Sequence, residues 1–214
     1  IKDAMEMLAK AALQKEGLSG LRTGFEGLDK MTSGWQNSDL IIIAARPAMG
    51  KTAFVLSMAK NMAVNFNTPV ALFSLEMSNV QLVNRLIVNV CEIPGEKIKS
   101  GRLESYEWEQ LDFKIKELYD APIFVDDTPS LSVFELRTKA RRLVREHGIK
   151  CIIIDYLQLM NASGMNFGSR EQEVSTISRS LKGLAKELNI PIIALSQLNR
   201  GVEAVKAWKV SVRS

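Results

Sequence analysis

The stretch Leu40-Ile41-Ile42-Ile43-Ala44-Ala45-Arg46-Pro47-Ala48-Met49-Gly50-Lys51-Thr52, running into the amphipathic segment that begins at Ala53, decides the fold. Its aliphatic opening reads as a buried strand and the segment after Thr52 as a helix. Between them lies the pattern G-x-x-x-x-G-K-[ST], with Ala45 in the first glycine's place. Strand, loop and helix in that order make a cradle for a triphosphate. The backbone N–H groups of Ala48, Met49, Gly50, Lys51, Thr52 and Ala53 can aim at phosphate oxygens, and the helix adds the positive end of its dipole. Lys51 would meet the β- and γ-phosphates as a point charge, and the Thr52 hydroxyl would take a coordination site on Mg²⁺. The loop can wrap a phosphate only if Ala45 adopts the required backbone shape. The plainer alternative is a strand-turn-helix whose glycine merely relieves strain.

Composition sets outer limits. A chain of 214 residues with 46% apolar content can bury a full core as one domain, with room for an appendage. The net charge of +4 arises from 28 basic and 24 acidic residues, so a polyanionic partner is permitted and not demanded. Cys91 and Cys151 are too few and too far apart for a disulfide framework or a zinc site, and read as reduced core thiols of a cytoplasmic protein. No apolar run is long enough to span a membrane. His147, the only histidine, follows Arg145 and Glu146 at an expected helix end and reads as a surface or capping residue.

Outward from the loop, apolar runs alternate with helical periodicity. Phe54, Met58 and Met62 mark one helix face. Strands are expected at 69–74, 122–126, 151–155 and 191–196, with helices between them: Val80, Val83, Ile87 and Val90 inward on one, Trp108, Leu111, Ile115 and Leu118 on another. Ser132-Val133-Phe134-Glu135 is a capping box opening a helix with Leu136, Ala140 and Leu143 inward and Gly148 as its stop. Val174, Ile177, Leu181, Leu184 and Leu188 stripe a long helix. Apolar strands separated by helices imply an α/β fold with a mostly parallel sheet covered on both faces.

In such sheets ligands sit at the carboxyl ends of the strands, and polar residues close several of them here. Asp155, ending Cys151-Ile152-Ile153-Ile154, reads as the carboxylate that holds Mg²⁺ directly or through water. Asp126 and Asp127 end the third strand in the same way, but Thr128-Pro129-Ser130 follows, which favours a turn-capping role. Glu76, just past the second strand, is a candidate general base for the attacking water; a solvated acid at a helix N-terminus near Ser78 is the alternative. Gln197, at the end of the fifth strand, can sense the γ-phosphate through its amide or serve as an ordinary turn residue.

Four stretches together resemble one family. Ser74-Leu75-Glu76-Met77-Ser78, Ile154-Asp155-Tyr156-Leu157-Gln158-Leu159, the run 172–182 and the run 194–203, with the loop at 45–52, are similar to the ATPase domain of DnaB-type bacterial replicative DNA helicases. The resemblance covers roughly residues 18–203. It implies a RecA-like P-loop NTPase fold and a homo-hexameric ring. It also implies ATP- and Mg²⁺-dependent 5′ to 3′ translocation on single-stranded DNA, with a primase and a helicase loader as partners. On matching positions, Lys51 and Thr52 serve phosphate and metal, Glu76 is the catalytic carboxylate, Asp155 the Mg²⁺-linked acid, Gln197 the γ-phosphate sensor and Arg85 an arginine near the nucleotide. The loop from Asn161 to Ser169, with Phe167, and the neighbouring Arg170 are the candidate DNA contact; a solvated loop explains the same composition.

The expected organisation is a linker helix at 1–17 with Met5, Leu8 and Ala12 on one stripe, a motor domain at 18–203 incomplete at its C-terminal end, and an atypical tail at 204–214. The linker stripe fits an adjacent subunit or its own domain. The tail matches none of the family's continuation, so the chain reads as a fragment or a truncated product whose own hydrolysis is slow. Two other classes remain: a RecA-superfamily ATPase of recombination or signalling, and a nucleotide-binding module without useful turnover.

Overall fold

The computed structural model describes residues 18–161, 169–198 and 209–213, together with Met5. The linker stripe beyond Met5, most of the loop after Asn161 including Gly164, Phe167 and Gly168, and the stretch 199–208 lie outside the described residues.

Helix α1 (Glu26–Thr32) precedes strand β1 (Leu40–Ala45). The chain continues through helix α2 (Lys51–Lys60), which passes into a π-helical turn at Asn61–Asn65, strand β2 (Val70–Ser74), helices α3 (Asn79–Cys91), α4 (Gly95–Ser100), α5 (Ser105–Lys114) and α6 (Lys116–Tyr119), and strand β3 (Ile123–Asp126). Helix α7 (Val133–His147), strand β4 (Cys151–Asp155), a 3₁₀ turn at Leu157–Leu159, helix α8 (Arg170–Leu188), strand β5 (Ile192–Gln197) and strand β6 (Lys209–Arg213) complete the order. They build one six-stranded sheet ordered β3-β2-β4-β5-β1-β6. The first five strands are mutually parallel, and β6 runs antiparallel against β1.

Strand alternation divides the core between two faces. From β1, Leu40 and Ile42 join Leu136, Ala140, Ile177, Leu181 and Leu184 beneath α7 and α8. Ile41 and Ile43 join Val55, Met58, Met62, Leu82 and Leu86 beneath α2 and α3. Strands apolar throughout are thus the local consequence of helices on both sides. The expected capping box at Ser132 forms, with Ser132 Oγ accepting from the Glu135 N–H at 3.1 Å, and Gly148 takes the left-handed position that stops α7. His147 closes that helix and stacks on Phe124 with ring centroids 4.3 Å apart.

Three expectations are corrected. Helix α3 buries Leu82, Leu86, Val90 and Cys91, whereas Val80 and Val83 are exposed. This helix carries apolar residues on two stripes that share Val90, and periodicity does not say which one meets the sheet. In α5, Trp108 is exposed and the buried residue is Glu107, whose carboxylate accepts from Lys97 Nζ at 2.6 Å and from the Glu104 N–H at 2.9 Å. Those bonds hold the Glu107 carboxyl below its ordinary range. The sequence reading also placed no strand in the tail, where β6 forms.

The entry to the domain is pinned to this core. Leu21 and Trp35 form an antiparallel bridge, and the fully buried Trp35 indole sets its N–H 3.3 Å from Met58 sulfur. Gly24, at φ 80°, sits so close to the π-helical turn that an added Cβ would lie 2.4 Å from Asn61 Cβ. Gly24→Ala should cost about 2–4 kcal/mol through overpacking and left-handed backbone strain, read as a lower denaturant midpoint.

Candidate functional site

The carboxyl ends of β1, β2, β4 and β5 converge on a cleft of about 370 Å³ lined by Pro47, Ala48, Gly50, Lys51, Thr52, Glu76, Met77, Arg85, Asp155, Tyr156 and Gln197. Ala45 is a buried strand residue with no positive φ, so the absent first glycine costs the loop nothing. The left-handed positions are Ala48, at φ 61°, and Gly50, at φ 79°. A Cβ at Gly50 would meet nothing within 4 Å, so that glycine answers a backbone demand and not a crowded one. Met49 and Ala53 flank the cleft, Met49 through a turn that closes on the Arg46 carbonyl at 3.4 Å.

Lys51 and Thr52 open α2. Lys51 Nζ donates to the carbonyls of Ala45 at 3.0 Å and Arg46 at 3.3 Å, which holds the ammonium against its own loop. Thr52 Oγ1 donates to Asp155 Oδ2 at 2.7 Å. Asp155 is 2% exposed, and burial pushes its carboxyl above the ordinary range. The Thr52 hydrogen bond opposes that shift, the nearby Glu76 charge adds to it, and Lys51 and Arg85 work against it.

These two oxygens fit a hard divalent cation: a hydroxyl and a buried carboxylate, side by side, with the carboxylate's charge penalised until a cation joins it. Among the described residues no group of three or more His, Cys, Asp or Glu could cage a metal by itself. An ion here would draw its remaining ligands from phosphate and water, which is how Mg²⁺ is usually held at nucleotide sites.

Glu76 reaches the cleft through a tight turn. The Leu75 N–H donates to the Asp155 carbonyl at 2.8 Å, and the buried Ser74 hydroxyl accepts from the Met77 N–H at 3.1 Å and donates to the Met77 carbonyl at 2.8 Å. Ser78 then caps α3 in a capping box with Gln81, and Asp127 accepts from the Asn79 N–H at 2.8 Å. Arg85 stands exposed on the second turn of α3, facing the cleft. Gln197 is the last residue of β5 and pairs in register with Ala45, so it belongs to the sheet and not to a turn.

Asp126 lies elsewhere. It accepts from the Thr128 N–H at 3.1 Å and from Lys139 Nζ at 2.6 Å. Burial works against its charge, yet the bonds from Lys139 and Thr128 keep its carboxyl below the ordinary range. Arg170, at the start of α8, donates to Glu173 and to the Gln158 carbonyl and does not line the cleft. Sequence reasoning missed Pro47, Met77 and Tyr156, whose only signal was adjacency to motif residues, and Gln158, which joins β4's exit to β5.

Residues 20–210 match the model of the DnaB-like helicase C-terminal domain family. Over 189 residues the chain is 55% identical to the replicative DNA helicase DnaB of a Nostoc species, covering 87% of this chain and 21% of that protein. It is 52% identical over 186 residues to the replicative DNA helicase DnaB of Geobacillus stearothermophilus, covering 87% of this chain and 41% of that one. The chain therefore spans less than half the length of these relatives. Among solved structures, one described as an ATPase domain superposes with a TM-score of 0.89 at 38% identity, over 96% of this chain and 73% of that one. A DnaB-like replicative helicase described with its interactions with primase gives 0.86 at 39% identity, over 97% of this chain and 50% of that one. With the sheet order, the phosphate loop and the cleft all in place, the chain belongs to the DnaB-like helicase C-terminal domain family.

Proposed function

We propose that this chain is the motor of a replicative DNA helicase, hydrolysing ATP to drive 5′ to 3′ translocation on single-stranded DNA as part of a cytoplasmic homo-hexamer that works with a primase and a loader. The observation that carries the reading is the convergence of Lys51, Thr52, Glu76, Asp155 and Gln197 on one cleft at the carboxyl ends of parallel strands.

Lys51 and the N–H groups of Ala48 to Ala53 bind and orient the triphosphate. Thr52 and Asp155 would hold Mg²⁺, which when bound neutralises charge on the phosphate oxygens. Glu76 accepts the proton of the attacking water, Gln197 senses the γ-phosphate through its amide, and Arg85 faces the nucleotide from α3. Arg170, beside the loop that follows β4, is the DNA contact, and the apolar stripe at 1–17 docks on an adjacent subunit.

The test is ATP hydrolysis by the protein carrying this sequence, with and without single-stranded DNA, alongside binding of a nucleotide analogue and mass in solution. DNA-stimulated turnover by an oligomer supports the motor. Turnover indifferent to DNA would support a family-related ATPase of another role, and binding without turnover would support a nucleotide-binding module.

A further inference from the structure

The two parallel ladders of β5 end at different heights. Against β1 the register runs to Ala45 opposite Gln197, whereas against β4 it stops at Ile154 opposite Ala194. In a parallel strand the N–H and C=O of one residue point to the same neighbour, and alternate residues point to opposite neighbours. The Leu198 N–H donates to the Ala45 carbonyl at 3.2 Å on the β1 side, so the backbone of Gln197 faces the side where β4 has already ended.

Gln158 fills that place. From the 3₁₀ turn just after Asp155 its Nε2 donates to the Gln197 carbonyl at 3.1 Å and to Ser196 Oγ at 2.8 Å, and its Oε1 accepts from the Gln197 N–H at 3.3 Å. A primary amide offers one donor edge and one acceptor edge in a plane, as a peptide unit does. It therefore substitutes for the missing strand. The same residue's main-chain carbonyl accepts from Arg170.

We infer that Gln158 is a positioning residue that couples Gln197 at the nucleotide to Arg170 on the DNA side, its side chain fixing the first and its carbonyl the second. This rests on the motor reading above. With one residue spanning both, a displacement of Arg170 by a bound strand is passed to the backbone that carries the γ-phosphate-sensing amide. Without the side-chain amide, the Gln197 N–H and C=O lose their partners, and the strand end is released from Arg170.

The experiment compares unsubstituted protein with Gln158→Met, which keeps the side chain's length and apolar stem and removes only the amide. The readouts are affinity for a nucleotide analogue and the ratio of turnover with single-stranded DNA to turnover without it. The expected result is analogue affinity within about threefold and a stimulation ratio that falls at least tenfold towards one, with Gln197→Ala adding little in the double variant because the two act through one connection. A merely structural role would lower both rates by the same factor and leave the ratio intact, and that outcome, or a fully additive double variant, overturns the inference. Should Gln158→Met not fold, hydrogen exchange on unsubstituted protein decides: a protected Gln197 amide supports the bridge, and exchange at an exposed-loop rate overturns it. Unsubstituted protein whose turnover ignores DNA would instead sink the motor reading itself.

Discussion

Glu76→Gln is expected to leave nucleotide-analogue binding within about threefold and to lower turnover by roughly 10²–10⁴, the range for loss of a positioned general base. The amide keeps the size and polarity of the side chain, and the turn that presents it is closed by Ser74 and Met77, not by Glu76. What vanishes is the capacity to accept a proton. Lys51→Ala should do the reverse and remove binding, because in the proposed motor the ammonium supplies ground-state charge to the phosphates and no other lysine lines the cleft among the described residues. Retained turnover in Glu76→Gln would reject this carboxylate as the base, and the pair of variants separates binding from chemistry by their opposite signatures in saturation kinetics.

The second large effect is expected at Asp155, where function and stability pull apart. Burial raises its folded-state carboxyl above the ordinary range. The folded chain therefore holds that proton more tightly than the unfolded chain does. From this group alone, the nucleotide-free fold gains stability as pH falls from neutral through the raised value, and the gain is complete below the ordinary carboxylate range. Asp155→Asn removes the buried charge, and its amide oxygen can still accept from Thr52. The variant should melt higher at neutral pH, by roughly 2–4 °C for each kcal/mol recovered, and its melting temperature should change less between pH 7.5 and pH 5. Turnover should fall by at least about 10², since the preorganised charge proposed to hold the metal is gone. A variant that melts lower at neutral pH would show that the Thr52 contact depends on the negative charge, and the burial argument would fail.

How much of this was legible beforehand depended on whether the information was local. The phosphate loop, the capping box at Ser132 and the Gly148 stop are written in consecutive residues, and each formed as read. The cleft was legible for a different reason: parallel strands expose their carboxyl ends on one edge, so Glu76, Asp155 and Gln197 had to come near residue 51. What was illegible is pairwise and distant. Nothing in 79–91 says that Leu82 and not Val83 meets the sheet, because that choice is made by the α2 surface. Nothing near Gln158 names Gln197, which lies 39 residues away. Nothing near Trp35 names Met58, 23 residues away, as the partner of its indole. The tail strand was missed because its pairing with β1 joins residues far apart in the chain, and no local pattern in either segment names the other.

That last pairing has a mechanical meaning. With β5 on one side and β6 on the other, β1 is doubly laddered, as β2, β4 and β5 are, whereas among the described residues β3 has a bonded neighbour only in β2. A load applied where the phosphate loop leaves β1 is shared by two sets of backbone bonds acting in parallel, so the strand resists sliding about as two springs resist where one would yield. Because β2, β4 and β5 are laddered on both sides as well, every strand end around the cleft is braced in this way, and any give is left to the turns and loops beyond the ladders.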